Sequence, residues 1–228
     1  MKHLVVFTGA GISAESGIST FRDSDGLWEN HSVTQVASID GWYQDQSLVL
    51  DFYNQRRKQL KNVRPNQAHS ILAELEQHFR VSVITQNVDN LHERGGSSQV
   101  IHLHGELTKA CNENKSSVID IGYNDIHIGD KASDGSQLRP FIVWFGEAVP
   151  LMDKAIEITR SADILLVVGS SLQVYPAAGL LHYVPKDVPV FLIDPKPVGG
   201  LRNVTLIPQT ATKGMAYFRD LLLDGNGF

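Results

Sequence analysis

Apolar positions fall along this chain in two textures. Short runs rich in apolar residues at Leu4 to Phe7, Val81 to Thr85, Val100 to Leu103, Ile164 to Val168 and Val190 to Ile193 have the length of strands, too brief for core helices. Between them the spacing turns helical. From Ser47 to Leu60, Leu48, Phe52 and Leu60 share one stripe, and from Ala68 to Phe79, Ile71, Leu72 and Leu75 do the same. Arg64-Pro65-Asn66 separates these two helices, and Met152 to Arg160, Ala177 to Tyr183 and Ala211 to Leu223 read as three more. Strands alternating with helices, several of the strands apolar throughout, predict an α/β fold: a Rossmann-like parallel sheet covered by helices on both faces.

One region breaks the rhythm. From Thr108 to Gln137 the composition shifts to Asn, Asp, Ser, Gly and Lys. Alternation in Val118 to Ile121, a turn near Tyr123 to Asp125 and a second run at Ile126 to Ile128 predict a small hairpin. Arg139-Pro140 leads back to the core through Phe141 to Glu147. The expected organisation is one domain over 1–228. Its core is 1–30, 66–107 and 139–228; a smaller inserted lobe comes from a helical 31–65 and the hairpin 108–138.

Chemistry-bearing residues collect where strands end. Leu4 to Phe7 runs into Gly9, Gly11 and Ala14, a spacing that fits a variant dinucleotide-binding turn, in which glycines bring backbone N–H groups close to a pyrophosphate. Taken alone, a glycine-rich turn after a strand is weak evidence. The acidic residue expected to close a second strand about twenty positions on is missing, and Asp23 and Asp25 sit in a polar loop instead. Val81 to Thr85 ends in Gln86-Asn87-Val88-Asp89-Asn90, which reads as a turn capping the segment to Arg94 or as a polar pocket wall. Gly9, Asn87, His104, Gly169 and Asp194 all fall at strand ends, the edge at which open parallel sheets bind ligands.

In chain order, Gly9-Ala10-Gly11-Ile12-Ser13 with Gly17-Ile18 and Phe21-Arg22, Thr85-Gln86-Asn87-Val88-Asp89, His102-Leu103-His104-Gly105, Val143-Trp144-Phe145-Gly146-Glu147 and Gly169-Ser170-Ser171 resemble the signatures of the sirtuins, NAD-dependent protein-lysine deacylases. The resemblance implies NAD as cofactor and acylated lysine in proteins or peptides as partner, with nicotinamide and O-acyl-ADP-ribose as products. It assigns catalysis to His104, as general base on a ribose hydroxyl, with Asn87 and Asp89 lining the nicotinamide pocket. Gly9, Ala10, Gly11, Gln86, Gly169, Ser170, Ser171, Asp194 and Ala211 would hold the dinucleotide, Phe21 would cover the reacting ribose carbon and Arg22 would meet the phosphates. Val143, Trp144, Phe145 and Gly146 would supply strand edge and apolar walls for the substrate. Ala37, Tyr53 and Arg56 match a subgroup that removes succinyl and malonyl groups, where Arg and Tyr hold the acyl carboxylate; a solvated basic helix face is the alternative reading of the same residues.

The chain departs from that family in two places. Most sirtuins hold the small lobe with zinc on four cysteines, whereas Cys111 is the one cysteine here, so no zinc, and no disulfide within the chain, is expected. The four isoleucines 119, 121, 126 and 128 would pack the hairpin instead. Asp194 stands where the family often has Asn.

Composition adds limits. A hydrophobic fraction of 42% with 20% charged residues is ordinary for a globular protein. A net charge of −5 argues against direct nucleic-acid binding, which needs a basic face. No apolar run approaches membrane-spanning length and Met1-Lys2-His3 leads straight into the first strand, so the expected location is cytoplasmic. Protein ADP-ribosyl transfer and NAD hydrolysis would use the same pocket and stay open, as does a non-catalytic NAD- or ADP-ribose-binding module. Hydride transfer ranks last for want of the ribose-binding acid.

Overall fold

The computed structural model describes residues 1–19, 31–198 and 203–224, together with the backbone of 27–28. In chain order the strands and helices are β1 (His3–Thr8), α1 (Gly11–Ala14), β2 (Leu27–Trp28), β3 (His31–Ser32), α2 (Val33–Val36), α3 (Ile39–Gln44) and α4 (Gln46–Asn62). There follow α5 (Gln67–Leu75), β4 (Arg80–Thr85), α6 (Leu91–Arg94), β5 (Val100–His102), β6 (Gly105–Cys111), β7 (Val118–Asp120) and β8 (Arg139–Ile142). The chain continues with α7 (Met152–Arg160), β9 (Ile164–Val168), a 3-10 helix at Ala177–Tyr183, β10 (Val190–Ile193), β11 (Val204–Ile207) and α8 (Ala211–Leu223).

Six strands form one parallel sheet in the order β11-β10-β9-β1-β4-β5. The alternating side chains of β1 show why both faces need cover. Leu4 and Val6 pack against α5 and α8 with Ile71, Leu72, Met215 and Phe218. Val5 and Phe7 point the other way, towards Ala155 of α7 and Ala177 and Leu180 of the 3-10 helix. The expected doubly covered α/β sheet is therefore present.

A second core lies beside the sheet. β7, β6 and β8 make a small antiparallel sheet, which packs with α2, α3 and α4 around Trp42, Phe52, Tyr53, Leu107 and Trp144. β6 gave no clear period in the sequence because its burial is irregular, with a shift of register against β8 between Gly105 and Ala110. Short α3 and the half-exposed edge strand β11 were likewise without a strong pattern.

The hairpin is displaced from its expected place. β7 pairs with β6, Ala110 opposite Ile119, and residues 126–128 form no strand. Asn54 of α4 takes up the backbone there: its side-chain carbonyl accepts from Ile126 N at 3.0 Å and its amide donates to Ile126 O at 2.9 Å. Of the four isoleucines expected to pack the hairpin, Ile126 is buried and Ile121 half-buried, while Ile119 and Ile128 are 45% and 58% exposed. Backbone capture by one asparagine does what strand pairing was expected to do.

Asn54→Ala leaves both backbone groups of Ile126 without that partner. Urea denaturation should show a loss of about 1–3 kcal/mol; an unchanged midpoint would mean that the asparagine does not anchor the lobe.

Candidate active site

The site begins with two chain turns that touch. β1 and β9 are neighbours, and their carboxyl ends run into Gly9 and Gly169. Gly9 N donates to Val168 O at 3.1 Å and Gly11 N to Gly169 O at 2.9 Å. No side chain fits between them. A Cβ on Gly11 would stand 2.6 Å from Gly169 Cα, and one on Gly169, whose φ is +61°, would stand 2.3 Å from Ile12 N. Above this junction opens a cavity of about 500 Å³, lined in part by Gly9, Ala10, Gly11, Gly169, Ser170 and Ser171.

Its β4 side is a bonded polar wall. Asn87 is tied on three sides: its N–H donates to Thr85 Oγ1 at 3.0 Å, its carbonyl accepts from His102 Nδ1 at 3.0 Å and its amide donates to Ser13 Oγ at 3.2 Å. Ser13 Oγ in turn donates to Asp89 Oδ2 at 3.0 Å, while Asp89 Oδ1 accepts from Leu91 N at 3.0 Å. The cap reading and the pocket reading of this stretch therefore both hold, because Asp89 caps the segment and faces the cavity. Burial raises the pKa of Asp89, against the pull of these two bonds. Burial also acts to lower the His102 pKa, but the 2.8 Å bond to Glu93 and its charge outweigh this, and the net shift is upward.

His104 follows β5 and meets the same cavity. Its Nδ1 lies 3.0 Å from the carbonyl of Gln86, which can only accept, so Nδ1 carries the proton and the lone pair is on Nε2. Burial lowers its pKa, with the Gln86 bond as a smaller opposing effect, so the ring is neutral near pH 7. Gln86 is held in turn, its side-chain carbonyl accepting from Ser170 Oγ at 3.1 Å. The arrangement is a fixed neutral imidazole beside an amide and carboxylate wall.

The lobe closes the opposite side. Phe145 forms an isolated parallel bridge with Ser38, its N–H donating to Ala37 O at 2.9 Å and its carbonyl accepting from Ile39 N at 3.1 Å. Ala37 and the segment Val143, Trp144, Phe145, Gly146 line the cavity, as do Tyr53 and Arg56 from α4. Tyr53 is fully buried and Arg56 only 6% exposed, which removes the solvated basic face as an account of these residues. Arg57 turns away from the cavity to bond Asn54 and Leu107 O. At the far end stand Asp194, whose Oδ1 accepts from Lys196 N at 2.8 Å, and Ala211 at the start of α8. Glu15 already binds the first turn of α8, accepting from Thr212 N at 2.8 Å and from Thr212 Oγ1 at 2.7 Å.

All the site residues inferred from sequence meet on this cavity except Phe21 and Arg22, which lie outside the described residues. The structure adds Ile18, Leu107, Tyr175, Lys196 and Thr210, which belong to no motif quoted above save Ile18. Among the described residues no group of three or more His, Cys, Asp or Glu is placed to hold a metal, and Cys111 is buried.

These donors suit a dinucleotide. The glycine junction lets backbone approach a pyrophosphate, the amide wall can pair with a carboxamide, and Asp194 can accept from ribose hydroxyls. The volume is that of a cofactor site.

Comparison with known proteins agrees with this chemistry. The Sir2 family description matches residues 9–176. A protein of Bacteroides thetaiotaomicron named NAD-dependent protein deacylase is 55% identical, covering 98% of this chain and 99% of its own. A crystal structure of a Sir2 homologue with NAD superposes with a TM-score of 0.88 at 36% identity, over 99% of this chain and 91% of the other. A Sir2 protein bound to acetylated peptide gives 0.78 at 29% identity, over 98% and 94%.

Gly169→Ala should disrupt the junction. Calorimetry should find NAD binding lost, and denaturation a destabilisation of at least about 1–3 kcal/mol from the left-handed backbone alone. Native-like values for both would contradict the packing described.

Proposed function

Because this chain belongs to the Sir2 family, we propose that it is an NAD-dependent protein-lysine deacylase whose general base is His104. The reading is carried by one observation: a neutral imidazole with Nδ1 tied to Gln86 O lies on the same cavity as the Asn87–Ser13–Asp89 chain and the glycine junction. When bound, NAD supplies an anomeric carbon with nicotinamide as leaving group. Asn87 and Asp89 line the pocket for the carboxamide, held by bonds that do not depend on ligand. By the family pattern Phe21 would cover the reacting carbon and Arg22 would meet the phosphates. Gly9, Ala10, Gly11, Gly169, Ser170 and Ser171 would receive the phosphates and a ribose, and Gln86, Asp194 and Ala211 would complete the cofactor contacts. With the acyl-lysine carbonyl oxygen bonded to the anomeric carbon in place of nicotinamide, His104 Nε2 would take the proton of a ribose hydroxyl as that hydroxyl attacks the acyl carbon. One water would complete the release of lysine as the free amine.

The edge at which Phe145 bridges Ser38, with Ala37, Val143, Trp144 and Gly146, receives the acyl-lysine. Tyr53 and Arg56 extend the substrate range to succinyl- and malonyl-lysine, because a buried guanidinium and a phenol at the cavity wall favour an acyl chain ending in a carboxylate. The domain works without structural zinc. In the lobe, Asn112 bonds Ser116 and Asp134, and Glu147 joins Lys115 to Arg139, so that hydrogen bonds and ion pairs draw these segments together.

Incubation with NAD and acetyl-, succinyl- and malonyl-lysine peptides, read by mass spectrometry, tests the reading. Each peptide should lose its acyl group, and His104→Ala should abolish this. Arg56→Met should lower kcat/KM for succinyl-lysine by about 30-fold or more, the equivalent of losing a buried charged contact. Acetyl-lysine should lose much less; an equal loss on both would refute the acidic-acyl assignment.

The pH profile supplies a separate check. His104 must be neutral to act, and its pKa is depressed, so kcat/KM should rise with pH through a midpoint below 6.5 and then level off. A limb centred above 6.5 would assign the base to another group.

A further inference from the structure

The hydroxyl of Tyr53 is already engaged on one side. Trp144 Nε1 lies 2.9 Å from it, and an indole N–H can only donate, so Tyr53 is the acceptor in this bond. A phenol has a single proton, and here it must point away from the indole. Burial raises the pKa of Tyr53 far above its ordinary value, so the group remains a phenol.

The indole itself is gripped. The guanidinium of Arg139 lies 3.6 Å from its ring centroid, and Trp42 packs against it at 5.4 Å. Arg139 is held by Glu147 through contacts of 2.9 and 3.1 Å, and Glu147 also accepts from the backbone N–H of Trp144 at 2.8 Å. One ion pair therefore fixes both the ring and the main chain of Trp144. Arg139 is 1% exposed and Trp144 2%, so neither has room to swing away.

We propose that Trp144 is a positioning residue for acyl selectivity, its indole N–H making the Tyr53 hydroxyl a donor towards the cavity. The proposal rests on the acidic-acyl reading above and deepens it. Arg56 is a donor by nature; with Trp144 in place Tyr53 becomes one as well. A pair restricted to donating matches a carboxylate, which only accepts. It mismatches the isosteric carboxamide, whose NH2 group needs an acceptor that the pair does not offer. Without the indole N–H, Tyr53 regains an accepting position and the discrimination weakens.

The test uses the whole protein with NAD and two peptides that differ in one group: succinyl-lysine and its terminal amide, succinamoyl-lysine. The readout is the ratio of their kcat/KM values, with kcat and KM separated. Wild type should prefer the acid, and Trp144→Phe should lower the ratio at least fivefold. In a Tyr53→Phe background the same substitution should leave the ratio where Tyr53→Phe had put it. Should the phenylalanine variant fold poorly, benzothienylalanine placed at position 144 keeps the ring shape and removes only the N–H; it should reproduce the fall. Equal loss on both peptides, or the same change in ratio with and without the Tyr53 hydroxyl, would reduce Trp144 to packing and overturn the proposal. If wild type turned over neither peptide, the acidic-acyl reading would fall first; if it accepted both but the ratio withstood loss of the N–H, only the proposal would fall.

Discussion

Backbone contact between two strand ends is the constraint from which the site follows. Gly11 N donates to Gly169 O at 2.9 Å and Gly9 N to Val168 O at 3.1 Å, in a space that admits no Cβ. Because β1 and β9 lie side by side, this junction sits at the carboxyl edge of the sheet, where peptide dipoles and backbone donors are available to a ligand. Ser170 then reaches Gln86, and Gln86 O orients His104. Glycine packing at the floor is thereby connected to the tautomer of a histidine on the wall. Asn87 and Asp89 are bonded within the protein in the same way, so the pocket is built before anything enters it.

The lobe joins this site through α4. One turn of that helix carries Asn54, which captures the backbone of Ile126, Tyr53, which receives Trp144, and Arg56, which faces the cavity. Anchoring and recognition thus share a helix turn. Glu147 extends the connection, since it holds Arg139, Lys115 and the main chain of Trp144 together. These polar contacts draw the segments of the lobe together.

Much of this was legible in the sequence, and the reasons differ by residue. The parallel strands could be read because burial on both faces demands unbroken runs, as in Leu4 to Phe7 and Ile164 to Val168. The family could be read because several motifs occur in order, and the cavity gathers those that the structure describes. β6 could not be read, because its register shift spoils any period. Neither could the pairing of β7, because Val118 to Asp120 is exposed and carries no buried face to fix a register. The burial of Arg56 and Arg57 is also invisible locally: charged residues near a helix end look solvated until the partner sheet is known.

The central claim is that lysine is freed by transfer of its acyl group to a ribose, with nicotinamide expelled in the same turnover. The most direct measurement is a product balance on wild-type protein with NAD and one acylated peptide, quantifying free lysine peptide, nicotinamide and acylated ADP-ribose together. The account predicts equal amounts of all three. Nicotinamide released in excess of deacylated peptide, or the acyl group released as the plain carboxylic acid without NAD consumption, would contradict it.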